Sequence, residues 1–346
     1  MNIVTLDRAR AAGTVNPVGI QFSDDFSPDF LDRCLLHGYS VVGCTTNSPW
    51  DDTLETMDNI QSMKRIVEGH PNAYLLHSSD QLQNPSNGKI GVMLGFQSPK
   101  PCSDSMNLLE AFVDMGIRCS ALALRENSYY GCGFASSNDS GLTALGQQAV
   151  RLMNKRGVVV DLSHVGDRTA MDAVALSEQP VIFSHSLARE VIANEATKGV
   201  WAGLENGAAR RAAPAKLITA AAAKGGVFCP DVRLAESGYD VLKHIHYAVS
   251  LVGVDHVGIC AQEDWHRTAR DLRRMQRYKP GYGSTPGADS RDFPTDYRIR
   301  RLDDQLGPEA LASDHLKFAL RSKYSESDTA KIMGGNMIRV LKTVLQ

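Results

Sequence analysis

The sequence predicts an α/β fold, a (β/α)8 TIM barrel of parallel strands each followed by a helix, on three observations. Short β-branched runs alternate with longer helical stretches along the whole chain. The strands read as nearly continuous apolar runs, as parallel strands buried on both faces do. The length, 346 residues, suits one such barrel with insertions. A single barrel domain over residues 1–346 is therefore expected.

The candidate strands, in order, are GIQFS (19–23), SVVGCTT (40–46), AYLLHSS (73–79), IGVMLGFQ (90–97), CSALALRE (119–126), VVVDLSH (158–164), PVIFSH (180–185), GGVFCPD (225–231) and HVGICAQ (256–262). Nine candidates exceed the eight of a closed barrel, and Ala73–Ser79 is expected to stand outside it. Helices are expected over 105–116, 141–157 and 169–178. In the first, Leu108, Leu109, Phe112, Val113 and Met115 recur at helical spacing, and Gly116 and Gly157 stand where a left-handed cap ends a helix. Residues 264–300, rich in Arg, Tyr, Pro and Gly, follow the last strand and read as a lid or insertion, with an oligomer contact as the alternative. Residues 326–346 read as a closing C-terminal helix.

Composition narrows the function classes. Lys and Arg number 37 against 39 Asp and Glu, a formal net charge of −2 with no basic stripe, which argues against nucleic acid as a partner and for a small-molecule substrate. The seven cysteines form no CxxC pair and sit mostly in apolar runs, as reduced buried thiols of a cytoplasmic protein do. The N-terminus shows no apolar signal segment, and no run reaches the roughly 18 apolar residues of a membrane span. A soluble protein with no membrane partner is expected.

Barrels of this kind place their chemistry at the C-terminal ends of the strands. The residues there are Phe22, Thr45, Gln97, Arg125, Glu126, His164, His185, Asp231 and Gln262, the last followed by Glu263 and Asp264. His164 and His185 end neighbouring strands, and two neutral imidazoles so placed fit one divalent ion, with Asp161 or Asp167 available to orient a ring. A metal-free, hydrogen-bonded pair fits equally. Gln97, Arg125, Glu126, Tyr129, Tyr130 and Arg189 are the candidates for substrate contact, Arg189 through the planar fork that suits a carboxylate. For the Arg125–Glu126 pair and the two tyrosines, structural roles are the alternative.

The stretch GVVVDLSHVGDRTAMDAVALSEQPVIFSHS resembles the signature block of the membrane (renal) dipeptidase family, peptidase family M19. GLTALGQQAVRLMNKRG, GVMLGFQ, GVDHVGI and KIMGGNMIRVLKTVL follow the family's order, so the resemblance runs from about Pro17 to the C-terminus and is nearest a bacterial branch. It implies an amidohydrolase-like barrel, zinc, and a homodimer. The family's two-zinc site takes a His-x-Asp pair from the first strand, a bridging Glu, and two later histidines. Carried over, the later histidines are His164 and His185, but the first pair falls on Ile20 and Phe22 and the bridge on Gln97. The family's catalytic Asp falls on Gln262, its carboxylate-binding Arg-Asn pair near Ala196 and Thr197, and its substrate-contacting His near Leu124.

Two ions carry a total charge of +4, which two imidazoles and an amide do not offset, so at most one zinc is expected, completed by Glu263, Asp264 or Asp24. The first functional expectation is a divergent dipeptidase-like hydrolase of a small amide, lactam or dipeptide-like metabolite, with Glu263, Asp264 and Gln262 as its catalytic residues. The alternatives are a metal-free isomerisation, elimination, cyclisation or condensation in the same pocket, and a non-catalytic small-molecule or partner-binding protein.

Overall fold

The computed structural model describes residues 14–21, 26–48, 51–82, 88–195, 208–232, 238–261 and 314–345. Eight strands are assigned among them: β1 (Thr14–Gln21), β2 (Tyr39–Thr45), β3 (Ala73–Leu75), β4 (Ile90–Phe96), β5 (Ile117–Ala121), β6 (Val159–Asp161), β7 (Val181–Ser186) and β8 (Val227–Pro230). Every strand pairing is parallel, in the order β1-β2-β4-β5-β6-β7-β8, and β3 lies off this path against the start of β4. The expected ninth strand survives only as bridges, Phe228 to Val257 and Asp231 to Cys260, which supply the eighth parallel position of the barrel.

Helices fill the connections between the strands. Among them are α1 (Pro28–Leu36), α2 (Thr53–Gly69), α3 (Met106–Asp114), α4 (Ala144–Lys155) and α5 (Asp167–Leu176). The side chains of Ser27, Asp52, Ser105 and Thr143 each accept a backbone N–H from the first turn, and Asp52 and Glu55 cap α2 reciprocally. Gly116 and Gly157, with φ of +116° and +63°, turn the chain after α3 and α4 into the next strand. After β7 come α6 (Arg189–Glu195), α7 (Ala208–Arg211), α8 (Ala215–Ala223) and α9 (Gly238–Val252).

Strand alternation divides the core in two. Val42, Val92, Val160, Phe183 and Phe228 face outward and pack with Phe112, Met153 and Ile218 of the helices. Val41, Met93, Cys119, Val159, Ile182, Val227 and Cys260 face inward and form a second cluster. Each fully buried Val, Ile or Phe of this kind contributes roughly 1.5–3 kcal/mol. The last helices are α10 (Asp314–Arg321), α11 (Glu326–Ala330) and, after a π-helical step over Lys331–Gly335, α12 (Asn336–Val344). Met337, Leu341 and Val344 of α12 belong to the inner cluster, so this helix plugs the strand-start end of the barrel. The opposite end, where β6 and β7 finish, is left for polar groups. All seven cysteines are buried and unbridged, and no helix of the described residues is long and apolar enough to cross a membrane.

Candidate active site

Asp161 ends β6, and its neighbours on β7 are Ser184 and His185, all nearly inaccessible to solvent. Asp161 Oδ1 accepts the N–H groups of Ser163 at 2.9 Å and Ser184 at 3.1 Å, while Oδ2 accepts the Ser184 hydroxyl at 2.5 Å. Burial pushes the Asp161 carboxyl up, against the pull of the Ser184 and Ser163 hydrogen bonds. Ser184 Oγ also lies 2.7 Å from His185 Nδ1. His185 Nε2 in turn stands 2.7 Å from His164 Nε2, with ring centroids 4.7 Å apart. The two imidazoles expected to act together therefore do converge, tip to tip.

His164 is not the strand end that the alternation implied. It lies three residues beyond β6, in a turn, with φ of +66°. A non-glycine residue in this left-handed region costs on the order of 1–2 kcal/mol and persists only where its surroundings enforce it. Here the loop after β5 enforces it: Phe134 N donates to His164 O at 2.9 Å, Gly166 N donates to Cys132 O at 2.8 Å, and Gly133 bridges Val165. The Phe134 ring then rests 5.8 Å from the imidazole. His164 Nδ1 is buried with no hydrogen-bond partner among the described residues.

The third group at the site was not anticipated. Arg211, at the end of α7, places Nη2 at 3.2 Å from His164 Nε2, and its Nε is buried with no hydrogen-bond partner among the described residues. Arg189 explains how Arg211 is held. Its fork grips Asp167 at 2.6 and 2.7 Å, and its remaining contacts are with Ala212 O at 3.0 Å and Arg210 O at 3.3 Å. Four of the five guanidinium N–H groups are thereby committed, so Arg189 serves as a strut for the Arg210–Ala212 backbone, and Asp167 is spent on it and not on a histidine ring. The signal in the sequence was the Arg210–Arg211 pair just before the proline-started helix α8. Counting forward from His185 stopped short at Ala196 and Thr197, which lie outside the described residues.

The other expected residues are scattered. Gln97, just past β4, is buried, in inward phase with Met93. β5 ends at Ala121, so Leu124, Arg125 and Glu126 lie in the following loop, Arg125 half-buried and Glu126 exposed. Tyr129 is exposed, whereas Tyr130 is wholly buried in the outer, helix-facing cluster, where burial pushes its phenol up; it does not wall an open pocket. Ile20 lies in β1. Phe22, Asp24, Gln262, Glu263, Asp264 and the whole of 264–300 lie outside the described residues. Among the described residues no three His, Cys, Asp or Glu side chains come together as a metal site.

Burial, followed by the Arg211 charge and His185, holds the His164 imidazole well below its usual 6.5. The unfolded chain takes up this proton near pH 6.5 and the folded chain does not, so stability is full above that pH and falls below it. Urea titrations between pH 7 and 5 are expected to show a loss of up to about 1.4 kcal/mol per pH unit from this ring. The slope should flatten in His164→Gln; an unchanged slope would mean that the ring titrates normally.

The fold is a parallel (β/α) barrel, and paired imidazoles and a guanidinium meet at the C-terminal ends of its strands. Over residues 35–197, a little under half of its length, the chain matches the family described as Membrane dipeptidase (Peptidase family M19). Dipeptidase 3 of Mus musculus is 31% identical over 168 residues, which is 45% of this chain and 32% of that protein, so the chain spans about a third of the relative's length. A solved amidohydrolase from Pseudomonas aeruginosa superposes with a TM-score of 0.75 at 20% identity, covering 97% of this chain and 98% of that one. A metallopeptidase from Rhodobacter sphaeroides, liganded with a phosphinate mimic of the dipeptide L-Ala-D-Ala, gives 0.66 at 16% identity, covering 91% and 89%.

Proposed function

We propose that this chain is a dipeptidase-like hydrolase of a small amide bearing a carboxylate, working with at most one metal ion held by His164 and His185. The observation that carries the reading is the 2.7 Å convergence of the two Nε2 atoms beside the Arg211 guanidinium. The donor set fits one ion: two imidazoles, one of them backed by Asp161 through Ser184, as metal-bound histidines usually are. It does not fit two, because Gln97 stands where a bridging carboxylate is needed and the described residues hold no third anionic donor beside the rings. The remaining ligand and the general base are assigned to Gln262, Glu263 and Asp264, as expected from the sequence.

A bound divalent ion supplies Lewis acidity toward an amide carbonyl and acidifies water. The chain's own residues do the rest. His185 presents a fixed nitrogen, Phe134 and the loop behind it hold His164 in place, and Arg211 offers its unused Nε–H to a substrate carboxylate. One observation favours the metal-free alternative: Arg211 already donates toward His164 Nε2, the atom that a metal would take.

Elemental analysis of protein purified without chelator, joined to a panel of dipeptides and N-acyl amino acids, tests both. One zinc-like ion per chain, with hydrolysis lost on chelation and restored by metal, supports the hydrolase. Turnover without any metal supports the alternative, and two tightly held ions per chain overturn the reading of the donor set.

A further inference from the structure

Helix α5 starts without a cap of its own. Its N-cap is Gly166, which has no side chain to offer, held in the extended conformation (φ −64°, ψ 153°) that a capping serine adopts. The acceptor comes instead from Asp139, in the loop after β5. Asp139 Oδ2 takes the Arg168 N–H at 2.7 Å, and both oxygens share the Thr169 N–H at 3.2 Å. These are the two N–H groups that a side chain at position 166 would serve. A Cβ on Gly166 would stand 2.4 Å from Asp139 Oδ2, so the carboxylate occupies the place of the missing side chain. Against the push of burial, hydrogen bonds from Thr169, Gly141 and Arg168 hold the Asp139 carboxyl below its usual value.

The same carboxylate reaches the histidine pair by way of its loop. Asp139 Oδ1 accepts the Thr169 hydroxyl at 2.7 Å, and Thr169 Oγ1 accepts the Cys132 N–H at 3.1 Å. Next along the chain come the contacts that force the His164 turn: Gly166 N to Cys132 O, Gly133 against Val165, and Phe134 N to His164 O. A cap from residue 166 itself would stabilise α5 equally and leave this loop untied. The other support of His164 is anchored on the same helical turn, through Asp167 to Arg189 and the Arg210–Ala212 backbone. We propose that Asp139 is a positioning residue of the site: it caps α5 from outside, and so clamps the Cys132–Phe134 loop over His164 and aims the ring. The proposal rests on the function proposed above only for its kinetic readout.

Two variants separate the clamp from the cap. Asp139→Ala combined with Gly166→Ser restores a cap within α5, the serine Cβ taking the space that the carboxylate vacates, and leaves the loop untied. Thr169→Val does the reverse: α5 keeps the Asp139 carboxylate on its N–H groups, and the link to Cys132 is cut. The measurements are thermal unfolding, hydrogen exchange at the Phe134 amide, and kcat and KM on the best substrate of the dipeptide and N-acyl amino acid panel. Asp139→Ala should lower Tm by about 2–4 °C, speed Phe134 exchange about tenfold or more, and cut kcat by up to about 10²-fold at nearly constant KM. The double variant should recover Tm alone. Thr169→Val should share the faster exchange and the lower kcat. If Asp139→Ala fails to fold, the other two variants decide. Exchange and kcat that return to wild type together with Tm in the double variant, or a Phe134 amide unmoved in either variant, would reduce Asp139 to a helix cap and overturn the clamp. A wild-type protein that hydrolyses nothing on the panel, with Phe134 exchange shifting as stated, would sink the function proposed above and leave the clamp standing.

Discussion

His185→Ala is expected to lower kcat/KM by at least about 10³-fold, roughly 4 kcal/mol of transition-state stabilisation. The ring is 1% exposed and its Nε2 stands 2.7 Å from His164 Nε2. Under the function proposed above, the reacting group faces this nitrogen. Under the hydrolase reading the variant should also lose its metal, because a single remaining imidazole is a poor site. The change has a second cost. Ser184 Oγ loses its ring partner, and a buried polar group left without a partner costs about 1–3 kcal/mol. Thermal unfolding measured beside the kinetics separates the two effects. Unchanged turnover in a folded variant would remove His185 from the site altogether.

The fold was legible because its signals are local. Apolar runs bounded by turn residues located every strand of the sheet, and the helical segments expected from 105 and 141 began within a few residues of α3 and α4. The strand ends were harder, for physical reasons. CSALALRE alternates as a strand should, yet β5 stops at Ala121; the core continues through buried Leu122 and Ala123, whose backbone has left the sheet, with Leu122 O accepting Ser128 Oγ at 2.7 Å. Hydrophobicity records burial and not pairing. β1 begins at Thr14, five residues before the expected start, and its register against β2 shifts between Asn16 and Ile20. Pro17 lies inside that shift and has no N–H to give to a ladder.

The site was legible in half. The convergence of His164 and His185 could be read from their places just past and within the ends of neighbouring strands, because the barrel puts consecutive strand ends side by side. Arg211 could not, because it reaches the pocket from a helix 26 residues after His185, by way of a segment whose length the sequence does not translate into distance. Arg189 has the better local credentials, three residues after the strand, and for that reason is near enough to Asp167 to be captured by it. The left-handed turn at His164 was equally invisible, since it is imposed by Cys132–Phe134 from another part of the chain. Such departures from local preference collect where function requires a side chain to be aimed.

Arg211→Ala carries the other large effect. On substrates with a free carboxylate, kcat/KM is expected to fall about 10²- to 10³-fold, or about 3–4 kcal/mol, the usual cost of deleting one side of a partly buried, hydrogen-bonded charge pair. On the same substrates with that carboxylate converted to an amide, wild type and variant should differ by less than about tenfold, because the anion that the guanidinium serves is gone. Arg211→Lys should recover only part of the loss, since an ammonium supplies charge without the fork. The substitution also withdraws a positive charge that depresses the basicity of His164, so the window of stability loss below pH 6.5 should narrow from its acid end. Equal losses on the acid and amide substrates would show that Arg211 acts on the histidine pair and not on the carboxylate. Zinc affinity would then decide what it does there: a guanidinium competing for His164 Nε2 should, once removed, leave the metal more tightly bound.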